Sequence, residues 1–410
     1  MMRCSTKGEN VNVLFLSLVL INSIEEKGIY TDLLREFRNN GHNVYVISPH
    51  ERRLKLPTEY VEKDGVYYLK VRTGNITKVN VVEKGLSTLL IERLFIKAVQ
   101  KYLNQVRFDL IIYATPPITS EKVVRYIKNK DTAKTYLLLK DIFPQNAVDL
   151  GMLSKRSLLY KYFRQKEKRL YKSADYIGCM SQANVDFLLR HNPDIPPDVV
   201  EVCPNSIEVS NIDIGLDMLR QIRDRYGLPH DKTIFLYGGN LGKPQGIDFL
   251  IKCLRSNRLN DQVFFVIAGS GTEFPKLQDY FDTENPKNAK LVNQLPRNDY
   301  ELLANACDVG LIFLDRRFTI PNFPSRLLSY MQASIPVLAA TDINTDIGKI
   351  IEEGNFGYWC ESGDINKFNE HLVKLCDENE RKKLGANARR YLEEHYTVRR
   401  SYEIIMKHFG

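Results

Sequence analysis

The sequence is short of the signatures that name most enzyme classes. Its seven cysteines (Cys4, Cys179, Cys203, Cys253, Cys307, Cys360 and Cys376) are scattered, odd in number and never spaced as CxxC. That spacing excludes a zinc ribbon and a disulfide framework, and suits a reducing compartment. The seven histidines form no HExxH, so a metalloprotease-type site has no support. There is no GxGxxG and no loop ending in GK[ST], which removes the dinucleotide fingerprint and the Walker A loop. No strand ends on a DxD that would seat a divalent cation. Long hydrophobic runs are missing as well. The best candidate, residues 11–21, follows Arg3 and Lys7 as a secretory leader would. It runs into Glu25, Glu26 and Lys27 instead of a small-residue cleavage site, and it is too short to cross a bilayer. It reads as a first buried strand behind a loose tail, residues 1–10. Any membrane association is therefore expected to be peripheral. Basic stretches occur without a nucleic-acid module, so nucleic acid is not an expected partner.

What is present is a chain of 410 residues, 43% apolar and 26% charged, which fits a globular protein of two domains. A net charge of +8 favours an anionic partner or surface without naming it. The first half alternates strand and helix. A strand at 11–18 leads through Gly28 to a helix with Ile29, Leu33, Leu34 and Phe37 on one face, stopped by Gly41. Gly28 stands where doubly wound folds place ligands, although a plain connecting turn is the better reading of Gly28 taken alone. A strand at 43–48 follows, then an amphipathic helix at 86–103 carrying Leu86, Leu89, Leu90, Leu94 and Phe95, read as a core helix, with a membrane-surface helix as the minority reading because Lys84, Arg93, Lys97 and Lys101 accompany the apolar face. Strands at 109–113 and 135–139 come next. The second delivers Lys140 and Asp141 to the strand's C-terminal end, the edge at which open α/β sheets bind ligands. Residues 155–172 form a basic helix with interleaved aromatics. It suits a solvated face, or contact with anionic lipid head groups or a pyrophosphate. Strands at 175–180 and 200–202 close the half.

Residues 206–231 hold a link and a short helix. A strand at 233–237 then starts a second alternation, followed by the turn Gly238-Gly239-Asn240-Leu241-Gly242-Lys243-Pro244-Gln245-Gly246. Such a turn lets backbone N–H groups approach phosphate, and Lys243 adds charge. Strands at 263–268, 291–295 and 308–314 lead to the stretch 317–342. There Pro324 and Ser325 suit a helix start, Ser325 as its cap, with Leu327, Leu328 and Met331 on the buried face and a strand at 335–340. Arg326 beside free N–H groups of a helix start would hold an anion such as a diphosphate without a metal. An ordinary capped helix with a solvated arginine reads as well from this stretch alone.

Taken together, GGNLGKPQG at 238–246, IAGSGTE at 267–273, LPRNDYELLANACDVGLI at 295–312 and PSRLLSYMQASIPVLAATD at 324–342 resemble the donor domain of retaining, GT-B-fold glycosyltransferases of family four. The first half resembles them through LLLKDIFPQ at 137–145, LYKSADYIGCMS at 170–181 and CPNS at 203–206. The most similar subgroup makes bacterial surface polysaccharides such as capsule, O-antigen and exopolysaccharide. Positions matching the family's two glutamates carry Pro321 and Ser329. Those matching its Arg and Lys of the glycine turn carry Asn240 and Gln245, and its His before the aspartate is Lys140.

The resemblance implies an α/β protein of two doubly wound Rossmann-like domains facing across a cleft. The acceptor side would be 11–205, the nucleotide-sugar side 206–376, and helices in 377–410 would cross back to the first domain. It implies transfer from a nucleotide sugar, a UDP-sugar above all, to a polyprenyl-pyrophosphate-linked saccharide. The enzyme would sit peripherally on the anionic inner face of the plasma membrane. Asp141 and Lys140 would meet the transferred sugar. Arg326, Lys243 and the helix start at Ser325 would stabilise the leaving diphosphate. Backbone near Leu295 would hold the base and Ser329 the ribose, with Gly28, Gly239, Asn240, Gly269, Asn322 and Phe323 completing the donor site. No cofactor or metal is expected. Two rival classes share the fold: a sugar-nucleotide 2-epimerase and a non-catalytic nucleotide-sugar binder.

Overall fold

The computed structural model describes residues 10–76, 81–116, 118–210 and 214–409, and the side chains of the helix at 81–102 at residue 87 and from 90 onward. The expected N-terminal tail and the side chains of Leu86 and Leu89 lie outside the described residues. The chain divides into two compact units, residues 1–208 with 398–410, and residues 209–397.

In the first unit the elements run β1 (Asn12–Leu16), α1 (Ile29–Asn39), β2 (Asn43–Glu51), β3 (Glu59–Lys63), β4 (Val66–Thr73), α2 (Val81–Tyr102), β5 (Leu110–Thr115) and α3 (Glu121–Asp131). They continue through β6 (Lys134–Leu139), α4 (Gln145–Asp149), α5 (Leu158–Ser173), β7 (Tyr176–Cys179), α6 (Gln182–His191) and β8 (Val200–Val202). The sheet order is β3-β4-β2-β1-β5-β6-β7-β8, with only β3 antiparallel to its neighbour. All six residues of β5 are buried, as expected of a parallel strand covered on both faces. The chain winds outward from β1 in both directions, so the order reverses between β1 and β5. The C-terminal edge there, with the neighbouring end of β6, is the ligand-binding side of such a sheet.

The second unit holds α7 (Leu216–Tyr226), β9 (Thr233–Asn240), α8 (Ile247–Ser256), β10 (Val263–Ser270), α9 (Phe274–Glu284), β11 (Ala289–Asn293), α10 (Arg297–Asn305) and β12 (Val309–Phe313). Then come α11 (Arg326–Gln332), β13 (Val337–Thr341), α12 (Ile347–Gly354), β14 (Gly357–Glu361), α13 (Ile365–Lys374) and α14 (Glu378–His395). Its six parallel strands are ordered β11-β10-β9-β12-β13-β14, which puts the reversal between β9 and β12. The core between sheet and helices is built by Phe235, Tyr237, Leu250, Phe265, Leu277, Phe313 and Phe368.

The crossing back to the first unit is shorter than expected. Only α15 (Val398–Met406) and the residues after it join the first unit; α14 stays with the second. The hydrogen bonds explain why. Within the second unit Asn387 Nδ2 donates to Asn355 O (2.7 Å) and Arg389 Nη1 to Ser210 O (3.0 Å). α15 instead packs on α1, where the Tyr402 ring meets Phe37 edge-on at 5.0 Å and Tyr402 Oη lies 2.8 Å from His42 Nε2. Beyond it His408 stacks on Tyr176 at 3.6 Å. The first unit also keeps the link up to Glu208, whose carboxylate takes two bonds from the buried Arg35 (2.8 and 3.1 Å). The boundary thus falls three residues beyond the expected 205.

Candidate functional site

The end of β9 and the start of α11 meet at the point where strand order reverses in the second unit. β9 and β12 pair only at Phe235–Val309 and Leu236–Gly310. Beyond that the strands part, and the hydroxyl of Tyr330 enters the gap. It reaches Leu236 O (3.0 Å) and Leu311 O (3.1 Å) and accepts from Gly238 N–H (3.2 Å).

Arg326 lies in this gap. Its Nη2 donates to Gln245 Oε1 at 2.7 Å, and its guanidinium carbon sits 4.3 Å from the centre of the Tyr237 ring, a cation–π geometry. Nη1 is buried and has no partner. Burial by itself disfavours the charged guanidinium, but the facing phenols of Tyr237, Tyr330 and Tyr300 outweigh it and hold its pKa above the ordinary value. The Tyr300 hydroxyl, pushed up to about 12 by burial, is a second buried polar atom without a hydrogen-bond partner. Arg326 as a whole is half-buried, but a buried donor of a cation left open is costly unless an anion completes it.

Several expected roles shift. Ser325 precedes α11 but is in helical conformation and its side chain caps nothing. Leu327 N–H already donates to Pro324 O (3.1 Å) and Leu328 N–H to Ser325 O (3.1 Å), and α11 has only seven residues. Two N–H groups of the helix start are thus already engaged within the turn, while Arg326 Nη1 beside them is an open donor. Phe323 is 5% exposed, and its ring packs on Tyr396 at 5.7 Å. Asn322 N–H donates to Thr345 Oγ1 (3.0 Å), so it braces the loop before α11. Gly269 serves packing: a Cβ there would stand 1.9 Å from Gly239 O. Lys243 is exposed beside the glycine turn, and Asn240 ends β9 with its carbonyl accepting from Tyr237 Oη (2.7 Å). Leu295, half-buried just past β11, is near Gln294, whose Oε1 accepts from Ser270 Oγ (2.8 Å) at the end of β10. Ser329 is half-buried one turn along α11 from Arg326.

In the first unit Asp141 follows β6. Its oxygens accept from Ile142 N–H (2.8 Å) and Asn146 Nδ2 (2.7 Å), and Thr115 Oγ1 donates to its backbone carbonyl (2.9 Å). Burial, only partly opposed by those two bonds, pushes its carboxyl up to about 6. Lys140 turns away from Asp141 and donates to Cys203 O (3.3 Å); burial lowers its pKa. That bond makes it a brace for the turn at 203–206. Gly28 precedes α1 in extended conformation, and its N–H donates to Asp32 Oδ1 (2.9 Å), the plain connecting-turn role.

The sequence reading missed the three tyrosines around Arg326. Tyr237 had a local signal, as the last bulky residue of a buried strand directly before Gly238-Gly239. Tyr300 and Tyr330 lie 63 and 93 positions further along the chain and had none.

Comparison with known proteins agrees with this layout. Residues 219–391 match the model of glycosyl transferases group 1, and residues 29–211 match that of glycosyltransferase family 4. WbjE of Pseudomonas aeruginosa, described as a glycosyltransferase, is 23% identical over 322 residues, 78% of each chain. WcaI of Escherichia coli K12, assigned to colanic acid biosynthesis as a glycosyl transferase, is 22% identical over 254 residues, 60% of each. The crystal structure of Anabaena Alr3699/HepE in complex with UDP superposes with a TM-score of 0.70 at 16% identity, covering 98% of this chain and 99% of that one. With both halves matched in this order, the chain belongs to the family-four glycosyltransferases, and its two Rossmann-like units are those of the GT-B fold.

Proposed function

We propose that this glycosyltransferase moves a sugar from a UDP-sugar to a lipid-linked saccharide in bacterial surface-polysaccharide synthesis, with retention at the anomeric carbon and without a metal. The observation that carries the donor half is the buried, unpartnered Nη1 of Arg326 at the β9–β12 reversal. A diphosphate supplies the missing acceptor, and charge growing on it as the glycosidic bond breaks is what a preorganised dry cation stabilises best. Lys243, exposed beside the turn, adds a second charge from the solvent side. HepE, which shares the fold, was solved with UDP, and WcaI is assigned to colanic acid biosynthesis.

The test is release of UDP from a panel of UDP-sugars, with and without polyprenyl-pyrophosphate-linked saccharides, in excess EDTA. Acceptor-dependent release that persists in EDTA is expected. Release without acceptor would favour a 2-epimerase, and donor binding with no turnover across the panel would favour a binder. Activity lost in EDTA and restored by magnesium or manganese would sink the metal-free mechanism.

Asp141 is the ionisable group assigned to the reacting sugar, and its raised pKa gives a pH signature. The carboxyl is protonated below about 6 and anionic above it. If the anion is the working form, kcat falls on the acid side with a midpoint near 6. Asp141→Asn should be slow and lack that step. Asp342, also pushed up to about 6 by burial, holds the turn through Thr345 and Asn344. The Asp342→Asn variant should therefore keep the step; a step that vanishes there instead assigns it to Asp342.

The membrane contact proposed here uses the start of α5 and the residues before it. Arg164 pairs with Glu167 (2.5 Å), Lys166 with Glu92 (3.2 Å) and Lys172 with Asp194 (3.0 Å), while Phe163 packs on Phe143. The exposed set is Met152 (63%), Leu158 (81%), Leu159 (53%) and Tyr162 (38%), among the exposed Lys155, Arg156 and Lys161. Apolar side chains ringed by lysine and arginine suit an anionic interface, at about 1 kcal/mol per basic residue. Co-sedimentation with phosphatidylglycerol vesicles at low salt should fall sharply in Leu158→Ser/Leu159→Ser and in Lys155→Glu/Arg156→Glu/Lys161→Glu. Equal pelleting of wild type and both variants would remove this surface from the proposal.

A further inference from the structure

Gln245 is one of the positions at which this chain departs from the family pattern, and its surroundings are built. The turn that carries it is pinned to the end of β12: Asp315 N–H donates to Pro244 O (2.9 Å), and Gln245 N–H to Gly242 O (3.0 Å). Gly246 has φ +56°, and a Cβ there would stand 3.0 Å from Leu314 O, so the turn is held close to that strand end by a glycine. Gln245 is thus a fixed anchor that does not follow Arg326 about.

The chemistry of the pair settles which way the amide points. A guanidinium only donates, so the atom 2.7 Å from Arg326 Nη2 is the amide oxygen. Tyr237 Oη, whose proton goes to Asn240 O at 2.7 Å, lies 3.3 Å from the same oxygen. The amide nitrogen on the other arm of that planar group then keeps two N–H donors, and among the described residues no hydrogen bond engages them. Next to it, Arg326 Nη1 is also an open donor.

Building on the donor reading above, we infer that Gln245 both orients Arg326 and gives its own amide N–H to the donor diphosphate. A neutral, fixed donor then stands beside a single buried cation. Two buried cations within hydrogen-bond reach would repel each other in the empty site; a glutamine avoids that and still donates. Gln245 is a positioning residue for Arg326 and a direct ligand in its own right, and the two roles separate by substitution. Gln245→Glu keeps and strengthens the grip on Arg326 but removes the N–H donors and sets a carboxylate where phosphate must come. Gln245→Ala removes both functions without adding charge.

The experiment is calorimetric titration of the full-length protein with UDP at pH 7.5, alongside melting temperatures. Wild type should bind. Gln245→Ala should bind about tenfold more weakly, the size of one charge-assisted hydrogen bond. Gln245→Glu should lose about a hundredfold or more while melting no lower than wild type, because its fold and its hold on Arg326 are intact. A Gln245→Glu protein that binds UDP within threefold of wild type overturns the direct-ligand role, since a pure orienting anchor would survive that change. An unchanged Gln245→Ala overturns both roles. A wild type that binds no UDP overturns the donor reading itself, which is a different result from a wild type that binds and variants that match it.

Discussion

Arg326→Ala is expected to weaken UDP binding by about 1.5–3 kcal/mol, roughly tenfold to more than a hundredfold, the range for hydrogen bonds to a charged group. The direction of the stability change is the more telling half. In the empty protein the half-buried guanidinium is satisfied on one arm by Gln245, and its buried Nη1 is left open. A buried charge that is only partly compensated contributes little to stability, or less than nothing. The alanine variant should therefore melt at or above the wild-type temperature while losing its ligand. A residue kept for folding would show the opposite, a lower melting temperature with UDP affinity preserved, and that outcome would remove Arg326 from the site. Arg326→Lys should recover little. An ammonium cannot reach both Gln245 and a phosphate oxygen with the geometry of a planar fork, and it stacks less well on Tyr237.

That one arginine also marks how far the sequence could be read. Its type, its place before an apolar helical face and the glycine turn some eighty residues earlier were all visible, and they pointed to an anion. The helix start itself is less free than it reads in sequence, because the N–H groups of Leu327 and Leu328 are already bonded within the turn. Local pattern gives the helix, but it does not say where each amide hydrogen goes. The tyrosine cage was out of reach for a different reason: Tyr237, Tyr300 and Tyr330 come from β9, α10 and α11 and converge only when the sheet forms.

The alternation of strand and helix was legible in both halves because buried parallel strands read as short apolar runs. The β3–β4 hairpin was passed over although its turn was there to see. Asp64-Gly65, at φ 56° and 71°, is flanked by the alternating strands Glu59–Lys63 and Val66–Thr73. A search for the apolar runs of a parallel sheet overlooks an antiparallel edge strand, whose residues are mostly exposed. The same limit governs α5. The eight basic residues of 155–172 read in sequence as one surface, but three of them pair with acids from α2, the loop after α6 or their own helix. Charge is legible in sequence; whether it is already neutralised is a property of the tertiary fold.

The largest stability effect should come from a single oxygen atom. Tyr330 is fully buried, and its hydroxyl joins the parted ends of β9 and β12 at the site, through Leu236 O and Leu311 O, with Gly238 N–H donating to it. Tyr330→Phe keeps the ring and its packing but strands two carbonyls and one N–H where no water reaches. At about 1–3 kcal/mol for a buried group left unsatisfied, with the two carbonyls sharing one proton, the loss should be about 2–4 kcal/mol. For a domain of this size that is a fall in melting temperature of roughly 4–15 °C. The measurement is unusually clean, because the chain has one tryptophan, Trp359, and it lies on β14 of the second unit with Nε1 bonded to Thr341 Oγ1 (2.8 Å). Its fluorescence during urea unfolding reports on that unit by itself. UDP affinity should fall as well, since Gly238 N–H anchors the glycine turn that carries Gln245. A change below about 0.5 kcal/mol, the scatter of ordinary surface substitutions, would show that the strands hold their separation without the hydroxyl. The reversal point would then owe its shape to backbone pairing alone.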